Sequence, residues 1–332
     1  MLAGGGMGDG RMRVSIALAT YNGERYLQEQ LDSFMRQTRL PDEVVVCDDG
    51  STDDTLNILN SFIGLAPFSV RVYRNAEKLG YSKNFERAIN LCSGDVVFLC
   101  DQDDVWFPEK LKTVLNIFQS VDRPYVVIND AEITDGGLNP VGLTVLGQIR
   151  STGLSTDSFI SGCCTAFRTE LRPLIIPIPQ ARLGHDLWIH QIGIALNKRV
   201  LVHQPLQYYR RHGENTSQWF TNRTTRATKF DLMRYYGSGD SHVACTQRLA
   251  LLSMLSERLA HRWLEVKDSL DEDLELNKVL GVIQREQKAV RRRLALLERN
   301  RLLRLLPAWS MLRRGDYRYF SGWMSFVKDL IY

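Results

Sequence analysis

The chain has 332 residues, 44% hydrophobic and 24% charged, with a formal net charge of +4. Such a length holds one large domain or two ordinary ones, and the composition is that of a soluble globular protein. The mild charge excludes an argument for a nucleic-acid partner from charge alone, and no apolar run approaches the roughly 18 residues of a bilayer span.

The opening MLAGGGMGDGRMR lacks the apolar core of a signal peptide and reads as a flexible leader over residues 1–12. RVSIALATYN is an apolar run ending in polar residues, the pattern of a buried parallel strand at its carboxyl end. GERYLQEQLDSFMRQT follows with Tyr26, Leu27, Leu31 and Phe34 at helical spacing. DEVVVCDDGSTDDT is a second strand closing in acids and a helix-start signal, and LNILNSFIG continues as helix. FSVRVYRN reads as a third strand, SKNFERAINLCSG as a helix closed by glycine, and DVVFLCDQDD as a fourth strand. This alternation predicts an α/β architecture, a mostly parallel central sheet covered by helices on both faces. Ligands bind outside the carboxyl ends of such strands, so the polar clusters after strands one, two and four should converge on one crevice.

From about residue 125 the pattern loosens. PYVVINDAEI is strand-like, ISGCCTAFR short and apolar, HDLWIHQIGIAL helical, and RVLVHQPLQYYRRHGENTS a strand running into a polar tail. Beyond about residue 225 only helical patterns remain, rich in arginine. The spacing places an α/β part over 13–216 and a helical, basic and amphipathic part over 217–332. The six cysteines form no CxxC pair and lie mostly in apolar runs, which reads as buried, reduced thiols of a cytoplasmic protein.

Asp101, Asp103 and Asp104 crowd the end of the fourth strand. Like charges that close repel, and a bound cation reverses the sign. Carboxylates two residues apart can both lean into the crevice and offer the hard oxygens that Mg²⁺ or Mn²⁺ takes. The competing reading is a solvated turn, with Asp104 capping the helix that follows Pro108. CDDGSTDDT taken alone is ordinary loop and cap chemistry. Lys83 and Asn84 open a helix, where backbone N–H groups and a cation favour anions.

Taken in order, ATYNGERYLQEQLDSFMRQT, VVVCDDGSTDDT, GYSKNFERAI, FLCDQDDVWFPEKL, ISGCCTAFR, GHDLWIHQIG and YYRRHGEN resemble the family 2 glycosyltransferases of the GT-A fold, and among them the bacterial rhamnosyltransferase-like members. The likeness runs from about Val14 to Asn215. It implies an inverting, metal-dependent hexosyltransferase acting on a nucleotide-sugar donor, dTDP-L-rhamnose as first choice and a UDP-sugar as second. The implied acceptor is a glycan or a lipid-linked glycan of bacterial surface polysaccharide, at the inner face of the cytoplasmic membrane.

Residue by residue, the resemblance assigns Thr20, Tyr21 and Asn22 to the cradle of the base, Tyr21 stacking, and Asp49 to its imide N–H. It assigns Lys83 and Arg211 to the diphosphate, Asp101 to ribose or metal, and Asp103 to metal, with His212 completing the metal shell or touching diphosphate. Gly162 and Cys163 would line the sugar or acceptor pocket. Asp186 would be the base that deprotonates the acceptor, with His185, where many relatives carry Glu, orienting it, binding acceptor or packing. Arg210 could also meet phosphate, whereas His190 and His203 read as structural.

A dehydrogenase lacks support, because no glycine-rich turn follows the first strand. A nucleotidyltransferase would want a basic glycine-rich loop. A non-catalytic nucleotide- or glycan-binding module is the reading from another class, and it has no use for Asp186. The C-terminal arginines interleaved with Leu, Trp, Phe and Tyr read as a surface for an anionic bilayer, with a packed helical hairpin or a homodimer as the alternative.

Overall fold

The computed structural model describes residues 11–179, 184–213, 215, 219–237 and 241–331; most of the expected leader and residue 216, the expected boundary, lie outside them. The α/β part runs β1 (Val14–Thr20), α1 (Leu27–Met35), β2 (Glu43–Asp48), α2 (Thr55–Ile63), β3 (Ser69–Arg74), α3 (Tyr81–Leu91), β4 (Val96–Cys100), β5 (Val105–Trp106) and α4 (Lys110–Phe118). It continues through β6 (Val126–Thr134), β7 (Pro140–Thr144), α5 (Val145–Thr152), β8 (Thr165–Arg168), α6 (Arg172–Ile175), α7 (His185–Ala195) and β9 (Arg199–Arg210). Helices alone follow: α8 (Lys229–Gly237), α9 (Ser241–Val266), α10 (Leu276–Leu297), α11 (Leu305–Arg313) and α12 (Trp323–Ile331).

The strands order β3-β2-β1-β4-β8-β6-β9-β5, with β7 beside β6. β1 to β4 are parallel, as their apolar runs predict. The other half is mixed, because β8 runs antiparallel to both β4 and β6, while β6 and β9 are parallel. The two-residue β5 hangs on the end of β9, pairing Val105 with Tyr208. That pairing ties the chain just after the crowded acids to the strand leading into the predicted polar tail.

The period-2 alternation of β1 splits the core. Val14, Ile16 and Leu18 face α1, α2 and α4 through Leu31, Phe34, Leu59 and Val114. Ala17 faces the other layer, with Phe85 of α3 and Trp188 and Ile192 of α7. The same layer takes Leu252, Leu255 and Leu259 of α9 and Val279 and Ile283 of α10. The helices beyond the expected boundary thus share a core with the sheet. Only Leu296, Ala308, Met311 and Tyr317 gather into a separate small cluster. All six cysteines are buried and unbridged.

Candidate functional site

β1, β2 and β4 end side by side, Thr20 in register with Asp48 and Leu18 with Cys100. The loops after them therefore meet. After β4, the Gln102 amide accepts from the backbone N–H of Tyr21 at 2.9 Å and donates to its carbonyl at 3.0 Å. The acid loop is stapled to the turn after β1 by this one side chain.

Within the acid loop the three aspartates part company. Asp103 meets His212 Nε2 at 2.8 Å and accepts from Asn215 at 3.2 Å. The imidazole also packs on the Tyr26 ring, centroids 4.6 Å apart. Asp104 is not the solvated cap offered as the competing reading. It is buried, and it accepts from Gln207 Nε2 at 2.8 Å and from the backbone N–H of Arg210 at 3.3 Å. Gln207 in turn accepts from the buried Lys110 ammonium, which also donates to the Cys163 carbonyl at 3.0 Å and lies 4.0 Å from the Trp106 ring centre. Burial pushes the Asp104 carboxyl well up and the Lys110 ammonium down.

Asp101 lies between these groups. Its carboxylate, that of Asp104 and the Cys163 thiol offer ligand atoms within 4.8 Å of one another. Burial, then the charges of Asp103 and Asp186, push the Asp101 carboxyl up to about 7. Three acids from two distant segments therefore feel one another, which puts Asp186 in the neighbourhood of the acid loop.

Asp186 stands in the first turn of α7, where Oδ1 accepts from the Leu187 N–H at 2.7 Å. Gly184 is glycine for a steric reason: a Cβ there would run into that same Oδ1. His185 is buried, stacked on Phe85 at 4.0 Å, and neither ring nitrogen has a hydrogen-bond partner in the protein. Burial lowers its pKa, so the ring is neutral at physiological pH. A Cβ on Gly162 would come within 2.7 Å of His185 Nε2, so the absent side chain at 162 is what lets the imidazole in.

The base cradle expected from the first and second loops is partly used by the fold itself. Thr20 donates to Asp48 at 3.0 Å. Asn22 takes a positive φ of 45°, and its side chain accepts from the Thr52 N–H at 2.9 Å. Tyr21 is 41% exposed, with the Lys78 ammonium 3.5 Å from its ring centre. Asp49 is buried and accepts from the Asn75 side-chain amide and the Leu79 backbone N–H, each at 2.7 Å, and from the Gly80 N–H at 2.9 Å. It thereby fixes the loop that opens α3.

Lys83 on α3 is paired with Glu86 at 2.8 Å and donates to the Ile178 carbonyl at 3.3 Å. Arg211 leans on the Tyr209 ring, 5.6 Å from its centre. Arg210, considered for phosphate, is buried and fully engaged: it donates to the Asp103 carbonyl at 2.9 Å, to the Gly136 carbonyl at 3.1 Å and to Glu29. It holds the acid loop from behind. His190 is structural as expected, accepting from Arg199 at 3.0 Å and meeting Thr165 at 2.9 Å. His203 contacts Arg150 on the surface.

Gln102, Lys110, Gln207 and Arg210 in its buttressing role are the site residues that motif reading passed over. Lys110 falls within the quoted FLCDQDDVWFPEKL, but its partner Gln207 is 97 positions away.

The Asp101 proton has a measurable consequence. In the unfolded chain an aspartate ionises near 4. With the folded value raised to about 7, this group favours the fold most below pH 4, and that contribution is lost as pH climbs through about 7. A cation competing with the same proton should reverse the trend. We expect the rise in melting temperature caused by Mg²⁺ or Mn²⁺ to grow from pH 5 to pH 8. The His212→Asn variant, lacking the imidazole, separates the Asp101 contribution. A shift equal at all pH values there would remove Asp101 from any cation site.

Residues 15–171 match the family model described as Glycosyl transferase family 2. A dTDP-rhamnosyl transferase, RfbG of Shigella flexneri, is 37% identical over 217 residues, covering 60% of this chain and 72% of that protein. An uncharacterized glycosyltransferase of Nostoc sp. is 29% identical over 215 residues, covering 61% of this chain and 66% of that protein, just under two thirds of its length. Among solved structures, S. aureus TarS 1-349 in complex with UDP superposes with a TM-score of 0.53 at 19% identity, covering 93% of this chain and 89% of that chain. That likeness is one of fold.

Proposed function

The chain belongs to glycosyl transferase family 2, and from that premise we propose that it is an inverting glycosyltransferase moving L-rhamnose from dTDP-L-rhamnose to a glycan or lipid-linked acceptor of bacterial surface polysaccharide. Residues 13–216 would form the catalytic part and 217–332 its helical cover, on the cytoplasmic side of the membrane. The observation that carries the reading is geometric: a Cβ on Gly162 would lie 3.8 Å from the Asp186 Cβ, and the thiol of the next residue, Cys163, is within 4.8 Å of the Asp101 carboxylate, so Asp186 stands close to the acid loop. An acid on the first turn of α7 and a group of acids at the end of β4 suit the two faces of one reacting sugar. The rhamnosyl choice rests on the Shigella relative and on the resemblance of the motifs.

Asp186 takes the proton of the acceptor hydroxyl as its oxygen attacks the anomeric carbon. Its charge also favours the positive character that develops on the sugar ring. The neutral His185, with two unpartnered nitrogens beside Asp186, can receive and donate a hydrogen bond to a sugar hydroxyl. Tyr21 offers a ring face to the base, and any bond from Asp49 to an imide N–H would use a lone pair left after its three internal bonds.

The donor set of Asp101 and Asp103 oxygens with His212 suits a hard divalent cation, since it offers carboxylate oxygens and an imidazole, and the charges of Asp103 and Asp186 already hold the Asp101 proton. When bound there, Mg²⁺ or Mn²⁺ would neutralise charge on the departing diphosphate. Asp104 is spent on Gln207 and Arg210, so its part is to shape the loop.

The test is a thermal-shift and transfer panel of dTDP-rhamnose, UDP-glucose and GDP-mannose, each with and without Mg²⁺ or Mn²⁺. The expected outcome is cation-dependent stabilisation and turnover with dTDP-rhamnose, following mass action. A response confined to UDP-glucose replaces the donor while keeping the chemistry. Binding of every donor without turnover toward any acceptor would favour the binding-module reading.

A further inference from the structure

α12 is apolar on two sides. It turns Phe326 and Leu330 toward the small C-terminal core and buries Ser325 and Asp329, yet leaves Trp323, Met324, Val327 and Ile331 facing outward. Its orientation is pinned: the Arg293 guanidinium grips Asp329 with contacts at 2.7 and 2.9 Å, and Tyr317 donates to the same carboxylate at 3.0 Å. A buried ion pair of this kind fixes register, since breaking it would strand a charge. The apolar side therefore cannot roll inward.

The neighbouring segment does the same. Leu302 is 89% and Leu306 80% exposed, and α11, which packs against α12, exposes Trp309 beside them. Over residues 299–331 the only acids are Asp316 and Asp329, both buried against Arg292 and Arg293. Arg299, Arg301, Arg313, Arg314 and Arg318 are exposed. This end of the molecule thus presents apolar side chains and positive charge, with no exposed acid among the described residues 299–331.

We propose that α11, α12 and the turn before them form a docking face for an anionic bilayer. Trp and Leu would insert at the interface while arginines meet lipid phosphates. A second copy of the chain is the weaker occupant, because a two-fold contact would set these arginines against one another, and the exposed acid just before them, Glu298, already lies 3.7 Å from His242. No helix among the described residues is long and apolar enough to cross a membrane, so attachment would lie in the surface plane. This adds a lipid surface to the transferase reading, and its assay needs no sugar transfer, so either can fail alone.

The test is flotation of the full chain with vesicles of phosphatidylglycerol and phosphatidylcholine, and of phosphatidylcholine alone, at low and high salt. Binding is expected on the anionic vesicles at low salt, weakened by high salt. Since each arginine near an anionic surface is worth about fivefold in partitioning, Arg313→Gln/Arg314→Gln should cost about thirtyfold. Leu306→Glu/Trp323→Glu should abolish flotation while melting temperature and nucleotide binding stay unchanged. Absent or charge-indifferent flotation of the native chain overturns the proposal. So does a concentration-dependent dimer in light scattering that the Leu306→Glu/Trp323→Glu variant loses.

Discussion

Asp186→Asn should lower kcat by about 10²–10⁴-fold, the span that a positioned base contributes, while leaving donor binding within a small factor of the native value. Asparagine keeps the oxygen that accepts from the Leu187 N–H, so the first turn of α7 survives the exchange. It also keeps the size that Gly184 accommodates. What it loses is the ability to take the proton from the attacking oxygen. Release of nucleoside diphosphate in the presence of acceptor measures kcat, and calorimetric titration with the donor measures binding. His185→Gln is the companion variant: a KM increase with kcat retained assigns the imidazole to a sugar hydroxyl, whereas equal losses in kcat and kcat/KM make it a positioning group for Asp186. Native turnover by Asp186→Asn would remove Asp186 as the base and leave the acceptor proton to another group.

Asp103→Asn is the second large effect, and it falls on cation and donor affinity together. Even partners of metal ligands cost about 10- to 100-fold in metal affinity when removed, so loss of a ligand charge should cost at least about a hundredfold. The amide retains an oxygen toward His212 or Asn215, which limits structural damage. Titration of Mn²⁺ into variant and native protein, with and without nucleoside diphosphate, reads both affinities. Two arrangements are distinguished by the outcome. Reduced affinity supports Asp101, Asp103 and His212 as the ion's holders. Unchanged affinity moves the ion to Asp101, Asp104 and Cys163, whose ligand atoms already lie within 4.8 Å of one another.

In the half of the sheet from β1 to β4, β1, β2 and β4 were readable because each is an apolar run buried on both faces that ends in polar residues, whereas β3, half-exposed at the edge, shows only alternation. The first turn of α7 was readable for the same local reason, an acid after glycine ahead of an apolar helix. The mixed half was not, since β5 has two residues and owes its existence to β9, about a hundred positions later. Asp104 looked like a cap because nothing near it in the chain reveals Gln207, its partner 103 positions away. Arg210 looked like a phosphate ligand on charge alone, and only tertiary packing turns its donors toward carbonyls behind the acid loop. Helical spacing identified the C-terminal helices, but the burial of Asp329 depends on an arginine 36 positions earlier. Local periodicity carries strands and helices; the polar network that shapes the site is written in long-range pairs.

The Gln102 staple joins two walls that would otherwise be separate pieces of chain. Because one amide side chain holds both the Tyr21 backbone and the acid loop, any displacement of the loop drags the stacking ring with it. With the base on Tyr21 and the ion in the acid loop, as proposed, nucleobase selectivity and ion occupancy would be mechanically geared, and donor discrimination would be a property of the linked pair rather than of either contact surface by itself.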